Sequence, residues 1–350
     1  MKTAAVMIIN GREITPGLRL TLELPLPPLY THTPVTMPVH IVRGKKDGPR
    51  LFVSAAIHGD ELNGVEVIRR LLQLPQLARL RGTLIAVPIV NVYGVIQSSR
   101  YLPDRRDLNR SFPGSEKGSL AARCAVSFMD NIVKQCTHGI DLHTGALHRS
   151  NLPQIRTTLD RAENLTLARA FGAPVILDST IRDGSLREAA AALGIPILIY
   201  ESGQALRFDE LCIRAGVRGV VNVMRTLGML PKTSKRHPNH EPMVARTSSW
   251  VRAPASGLMR CLKPLGETVR QGDLLGLIDD IFDTETTEVR AAFSGIIIGR
   301  SEIPLVHEGE ALFHVARFAE NGEAAQNMES WREKYPEEEL SDSKEDPQIR

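Results

Sequence analysis

Cysteine and uninterrupted apolar sequence are both scarce in this 350-residue chain. Its four cysteines, Cys124, Cys136, Cys212 and Cys261, show no CxxC spacing and fall in apolar or helical surroundings. That argues against a disulfide or thiolate-metal framework and reads as buried thiols. No run approaches the roughly 20 apolar residues of a membrane span, and AAVMII near the start is too short for a secretory leader. The expectation is a cytoplasmic protein with no membrane partner. An excess of one charge sign is also missing: 43 basic residues face 40 acidic ones, a net charge of +3. So even a balance gives no footprint for nucleic acid. Only Tyr101 and Phe112 accompany the densest arginine stretch, too few to stack bases.

Apolar residues make up 42% of the chain, enough for more than one core at this length, so two domains are expected. From Arg50 to about Leu230, apolar runs such as LFVSAAI, TLIAVPIV, APVILD and IPILIY alternate with segments of helical period, as in Glu61 to Leu74 and Leu120 to Lys134. That alternation indicates an α/β domain with a mostly parallel sheet flanked by helices. We place this domain at residues 41–230, behind a β extension at 1–40. A proline-punctuated linker is expected at 231–249, a small all-β domain at 250–318, and an acidic, partly disordered tail at 319–350. The tail carries ten acidic and four basic residues.

The all-β segment contains an internal repeat. VRAPASGLM from Val251 recurs as VRAAFSGII from Val289, and VRQGDLL from Val269 recurs as VHEGEAL from Val306. Two such halves can close into a small barrel or sandwich, and the segment resembles the barrel-sandwich hybrid domains of the biotinyl and lipoyl type. Those carriers present a modified lysine between their halves. Here that hairpin reads DDIFDTETTEV, and the segment's only lysine, Lys263, lies in the first half. A structural or oligomerising module fits better than a swinging arm, so a homo-oligomer is one possibility.

The chemistry concentrates at strand ends. In IHGDELNG, directly after LFVSAA, His58 and Glu61 are three residues apart. On a helix that spacing turns both side chains to one point, and imidazole and carboxylate are zinc ligands. Such a pair alone also arises by chance on a solvated helix face. A third ligand is available in His143 of DLHTG, which closes another apolar run. The Arg100–Gly114 stretch, RYLPDRRDLNRSFPG, sets four arginines beside Asp107 and Asn109. It reads either as a solvated loop or as a fork that grips a carboxylate. Glu201, in YESG after the strand IPILIY, is either a turn cap or a catalytic base.

Together HGDELNG, DLNRSFPG, DLHTG and YESG, in this order, resemble the zinc-dependent succinylglutamate desuccinylase and aspartoacylase family, itself related to the zinc carboxypeptidases. The resemblance spans roughly Pro38 to Leu230. It implies a zinc-carboxypeptidase-like fold and one zinc per chain on His58, Glu61 and His143. Asn109 and Arg110 would bind a substrate carboxylate, Asp107 would orient His58, and Glu201 would be the general base. The arginine that assists the scissile carbonyl is Arg100, with Arg105 and Arg106 as alternatives on the same loop. The implied activity is hydrolysis of the amide bond of a small anionic N-acyl amino acid. The rivals are a metallocarboxypeptidase acting on a peptide C-terminus and a non-catalytic binding protein. The interval of 82 residues between Glu61 and His143 leaves little room for the loops of a peptide groove.

Overall fold

The computed structural model describes residues 6–232, 241–282, 285–318 and 321–335. The chain opens with a two-stranded ribbon, β1 (Met7–Ile9) and β2 (Arg12–Ile14). β3 (Arg19–Leu26) and β4 (Val35–Arg43) then pair antiparallel from Arg19 opposite Val42 to Leu26 opposite Val35. The α/β unit adds β5 (Lys46–Ala55), β6 (Arg81–Val87), β7 (His138–Gly145), β8 (Arg149–Thr157), β9 (Val175–Asp178) and β10 (Ile197–Gln204). Its helices are α1 (Asn63–Gln73), α2 (Val92–Ile96), α3 (Leu120–Asn131), α4 (Ala162–Phe171), α5 (Leu186–Ala192) and α6 (Glu210–Thr226).

β6, β5, β7 and β10 lie side by side and parallel. β4 joins β6 antiparallel, and β8 joins β10 antiparallel. The sheet is therefore mixed, with a parallel centre. Along β5, Leu51 and Val53 pack into a core shared with α1, α4 and α6, whereas Phe52 between them packs with α3 and α5 on the other face. A strand covered on both faces is apolar at every position, which is why LFVSA shows no alternation. The parallel centre brings the carboxyl ends of β5, β7 and β10 to one edge, the edge where open α/β sheets bind ligands. His58, His143 and Glu201 all lie there.

The N-terminal segment expected to pack on the domain at 1–40 is instead part of its sheet. β4 crosses that boundary and pairs with β6 from His40 opposite Ala86 to Arg43 opposite Thr83. The linker expected at 231–249 also shortens. Its middle, 233–240, lies outside the described residues, but β11 (Met243–Ala245) adds parallel to β9. After it, β12 (Thr247–Arg252) already belongs to the C-terminal module.

That module continues with β13 (Gly257–Cys261), β14 (Thr268–Val269), β15 (Leu274–Asp279), β16 (Thr286–Arg290), β17 (Gly295–Ser301), β18 (Leu305–Val306) and β19 (Ala311–Arg317). It forms two layers, β12-β19-β17-β14 and β16-β15-β13-β18. Each layer takes two neighbouring strands from one half of the repeat and two outer ones from the other. Repeat-equivalent residues, Val251 and Val289, Val269 and Val306, Leu275 and Leu312, are buried in the one core between the layers. The module is not a detached unit. β17 pairs antiparallel with β8, Gly299 opposite Asn151 and Ser301 opposite Arg149, so one sheet runs from it into the α/β unit. One cysteine departs from expectation: Cys261, the last residue of β13, is exposed.

The tail expected to be acidic and partly disordered begins with α7 (Asn321–Arg332); residues 336–350 lie outside the described set. Met328 and Trp331 on α7, with Tyr335 just beyond its end, join the core beneath α4 and α6. Trp331 is 2% exposed, and its indole Nε1 donates to the Gly172 carbonyl at the end of α4 at 3.2 Å. Truncating a buried tryptophan costs about 3–5 kcal/mol. Trp331→Ala should therefore lower the denaturant midpoint markedly; an unchanged midpoint would show that α7 does not dock.

Candidate active site

His58 and Glu61 are not on a helix. α1 begins only at Asn63, and the two are linked by a tight turn in which the Glu61 N–H donates to the His58 carbonyl at 3.1 Å. The turn brings both side chains inward all the same. Its flanking glycines are needed for close approach: a Cβ on Gly59 would lie 2.1 Å from the Gly94 carbonyl carbon. One on Gly64 would lie 2.6 Å from the Cβ of Leu142 on β7. With glycine at both places, the turn sits against α2 and α1 starts against the sheet.

Glu61 is the hub. Its Oε1 lies 2.7 Å from His58 Nδ1 and its Oε2 lies 2.7 Å from His143 Nδ1. The three side chains are buried, with ligand atoms all within 4.8 Å of one another. Two imidazoles and a carboxylate converging at this range form a possible metal site. The outward nitrogens are held too. His58 Nε2 meets Asp107 Oδ1 at 3.2 Å, and His143 Nε2 meets Asp141 Oδ2 at 2.6 Å. Ser54 on β5 donates to the other Asp141 oxygen at 2.8 Å. These carboxylates fix each ring's orientation and leave both Nδ1 atoms facing Glu61.

Burial alone would raise the Glu61 carboxyl, but the facing His58 and His143 hold it well below the usual carboxylate range. Burial would lower both histidines, and their carboxylate partners outweigh it and raise them. Burial would likewise raise Asp107, yet His58 and Arg100 hold it far down. Neighbouring charges therefore outweigh burial at Glu61, His58, His143 and Asp107.

Of the three candidate arginines, Arg100 is the one that reaches the cluster. It donates to Glu61 Oε1 at 3.3 Å and to Asp107 Oδ2 at 3.1 Å. Arg105 and Arg106 are exposed, and Arg106 lies 4.0 Å from Asp104. Asn109 Oδ1 accepts the Leu186 N–H at the start of α5 at 3.0 Å, so its amide Nδ2 is the group able to meet a carboxylate. Arg110 is tied by its guanidinium to the Asn109 carbonyl. Glu201 is registered with His143 on the neighbouring strand, and its Oε2 accepts from Asn151 Nδ2 at 2.9 Å.

His58, Glu61, Arg100, Asn109, Arg110, His143 and Glu201 line one cavity of about 730 Å³. Sequence reasoning missed much of its wall. Besides Arg100 and Arg110, the lining includes Arg149, Arg156, Arg182, Arg187 and Arg246, making seven arginines against the carboxylates of Glu61, Asp178 and Glu201. Burial, then Arg156 and Arg182, push Arg187 down to about 10. Thr247, Ser248, Trp250 and His314 of the C-terminal module also line the cavity, so that module is more than the structural or oligomerising part expected.

The family profile described as the succinylglutamate desuccinylase/aspartoacylase catalytic domain matches residues 47–227, more than half of the chain. The chain belongs to the succinylglutamate desuccinylase/aspartoacylase family. Like the other deacylases of this family, it is an amidohydrolase. It is 26% identical over 301 residues to the N-alpha-acetyl-L-2,4-diaminobutyric acid deacetylase of Halomonas elongata, covering 82% of this chain and 87% of that one. A succinylglutamate desuccinylase/aspartoacylase crystal structure from Rhodobacter sphaeroides superimposes with a TM-score of 0.78 at 26% identity, over 86% of this chain and 96% of that one. The product-bound ectoine utilization protein EutE (DoeB) of Ruegeria pomeroyi shares the fold, with a TM-score of 0.78 at 24% identity, over 90% and 99% of the two chains. The mixed sheet with its flanking helices and the antiparallel C-terminal region is thus the fold of this family. Among the described residues, no helix is long and apolar enough to cross a membrane.

Asp141 is the missed residue that sequence could have supplied. In DLH, positions i and i+2 of a strand share a face, which sets Asp141 beside His143. Loss of such an outer carboxylate typically costs 10- to 100-fold in metal affinity. Asp141→Asn should weaken metal binding by about that factor in a chelator competition titration while leaving the melting temperature of the metal-free protein near that of wild type. Unchanged affinity would remove Asp141 from the site.

Proposed function

We propose that the chain is a zinc-dependent amidohydrolase that removes the acyl group from a small N-acyl amino acid of net negative charge. One observation carries this: the His58, Glu61 and His143 donors converge in the same arginine-lined cavity as Glu201. The donor set fits zinc, since all three are nitrogen or oxygen ligands and three protein ligands suit a hydrolytic site. When bound, zinc would lower the pKa of a water to about 7 and offset negative charge on the carbonyl oxygen.

The chain's own residues supply the rest. Asn109 and Arg110 hold the substrate carboxylate and so set the scissile amide against Glu201. Glu201 takes the proton of the attacking water and returns it to the leaving amine. Arg100, already beside Glu61, donates to the oxygen on which charge develops. The module residues Ser248, Trp250 and His314 wall the cavity and favour a small substrate over a peptide.

Charge narrows the substrate further. Seven arginines would repel a cationic side chain such as the amine of diaminobutyrate, which the Halomonas relative is named for acting on. They suit a substrate with a second anionic group, whose arrival would relieve the repulsion among Arg156, Arg182 and Arg187. The free cysteines support a cytoplasmic setting.

Purified zinc-loaded protein, screened against N-acetyl, N-succinyl and N-formyl amino acids and short peptides, should hydrolyse acidic N-acyl amino acids fastest. Elemental analysis should give one zinc per chain, lost in His143→Ala. Glu201→Gln should keep its zinc and bind substrate but lose about 10² to 10⁴ in rate; near wild-type turnover would end the mechanism. Arg110→Ala should lower kcat/KM by roughly one to two orders of magnitude for a carboxylate substrate and spare its amidated analogue. Equal losses on both would refute that contact.

A further inference from the structure

A general base works from one direction, so its carboxylate must be held as well as charged. Glu201 lies near the end of β10, flanked by β7 and β8. Arg156 Nη1 is 3.6 Å from its Oε1, close enough to stabilise charge but too far to fix an angle. The directional partner is Asn151, whose Nδ2 donates to Oε2 at 2.9 Å. Asn151 is 8% exposed and sits on β8, where that strand meets β17 of the C-terminal module.

Its opposite number across that seam is Gly299. A Cβ there would lie 2.9 Å from Asn151 Oδ1 and 3.3 Å from the Cβ of His314. The Asn151 amide could escape this clash only by moving, and moving would take its donor off Glu201. Glycine at 299 is what leaves the amide in place.

We propose that Asn151 is the positioning residue for the Glu201 carboxylate, and that the C-terminal module sets Asn151 through Gly299. The module is then part of the base's scaffold. This rests on Glu201 being the base, as proposed above.

The test uses full-length, zinc-loaded enzyme and the N-acyl amino acid that wild type hydrolyses fastest. Steady-state kinetics, zinc content and melting temperature are measured for Glu201→Gln, Asn151→Ala, Asn151→Asp and Gly299→Ala. Asn151→Ala should lower kcat about ten- to a hundredfold with KM, zinc and melting temperature close to wild type. Asn151→Asp keeps the shape but sets a carboxylate against a carboxylate. It should lose more than Asn151→Ala, an order that a space-filling role would not produce. Gly299→Ala should lower kcat in the same sense as Asn151→Ala. Wild-type kcat in Asn151→Asp, with Glu201→Gln inactive, overturns the positioning role alone. Wild-type turnover in Glu201→Gln overturns the base assignment and this proposal with it.

Discussion

The structure depends on one buried carboxylate. Glu61 is shared between two imidazoles, and it also accepts from Arg100 and from the Thr144 N–H. An unpaired carboxylate at that depth would cost several kcal/mol, and these donors offset the cost. They come from separate parts of the chain: the turn after β5, the end of β7 and the loop leading to Asp107. Holding the charge therefore means holding three loops at once. The parallel centre of the sheet makes this feasible, because β5 and β7 deliver their carboxyl ends side by side.

Residue spacing alone reaches only local geometry, as where His58 and Glu61 meet across one turn; the role of Asp107, 49 residues from His58, came from the family resemblance. The repeat was legible because each half repeats the same buried valines and turn glycines. The convergence of His58 and Glu61 was argued for the case of a helix, but the structure achieves it with a tight turn, which a spacing of three serves equally well. Within the tail, the ten acidic residues drew attention away from the spacing of Met328, Trp331 and Tyr335, which marks where its described part packs.

What sequence concealed was non-local. Arg149, Arg156, Arg182, Arg187 and Arg246 come from β8, the segment before α5, α5 itself and the segment between β11 and β12. Each alone resembles an ordinary surface arginine, and only folding gathers them around one space. The pairing of β8 with β17 is equally silent, because antiparallel strands joined over some 150 residues carry no mark of each other. Gathered, the arginines do more than bind. A concave wall with an excess of positive charge concentrates its field and draws anions in from solution.

The seam between β8 and β17 also bears on how the edge of the sheet is closed. One edge of β8 is shared, with β17 on Arg149 to Asn151 and β9 on Gln154 to Thr157, while β10 covers the other edge. Without the C-terminal strands, the first stretch of that edge would present unpaired N–H and C=O groups beside a cationic cavity. Open edges of this kind recruit strands from other chains. The module thus acts as a plug for the sheet, and a chain shortened before β12 would trade a closed seam for a nucleus of aggregation.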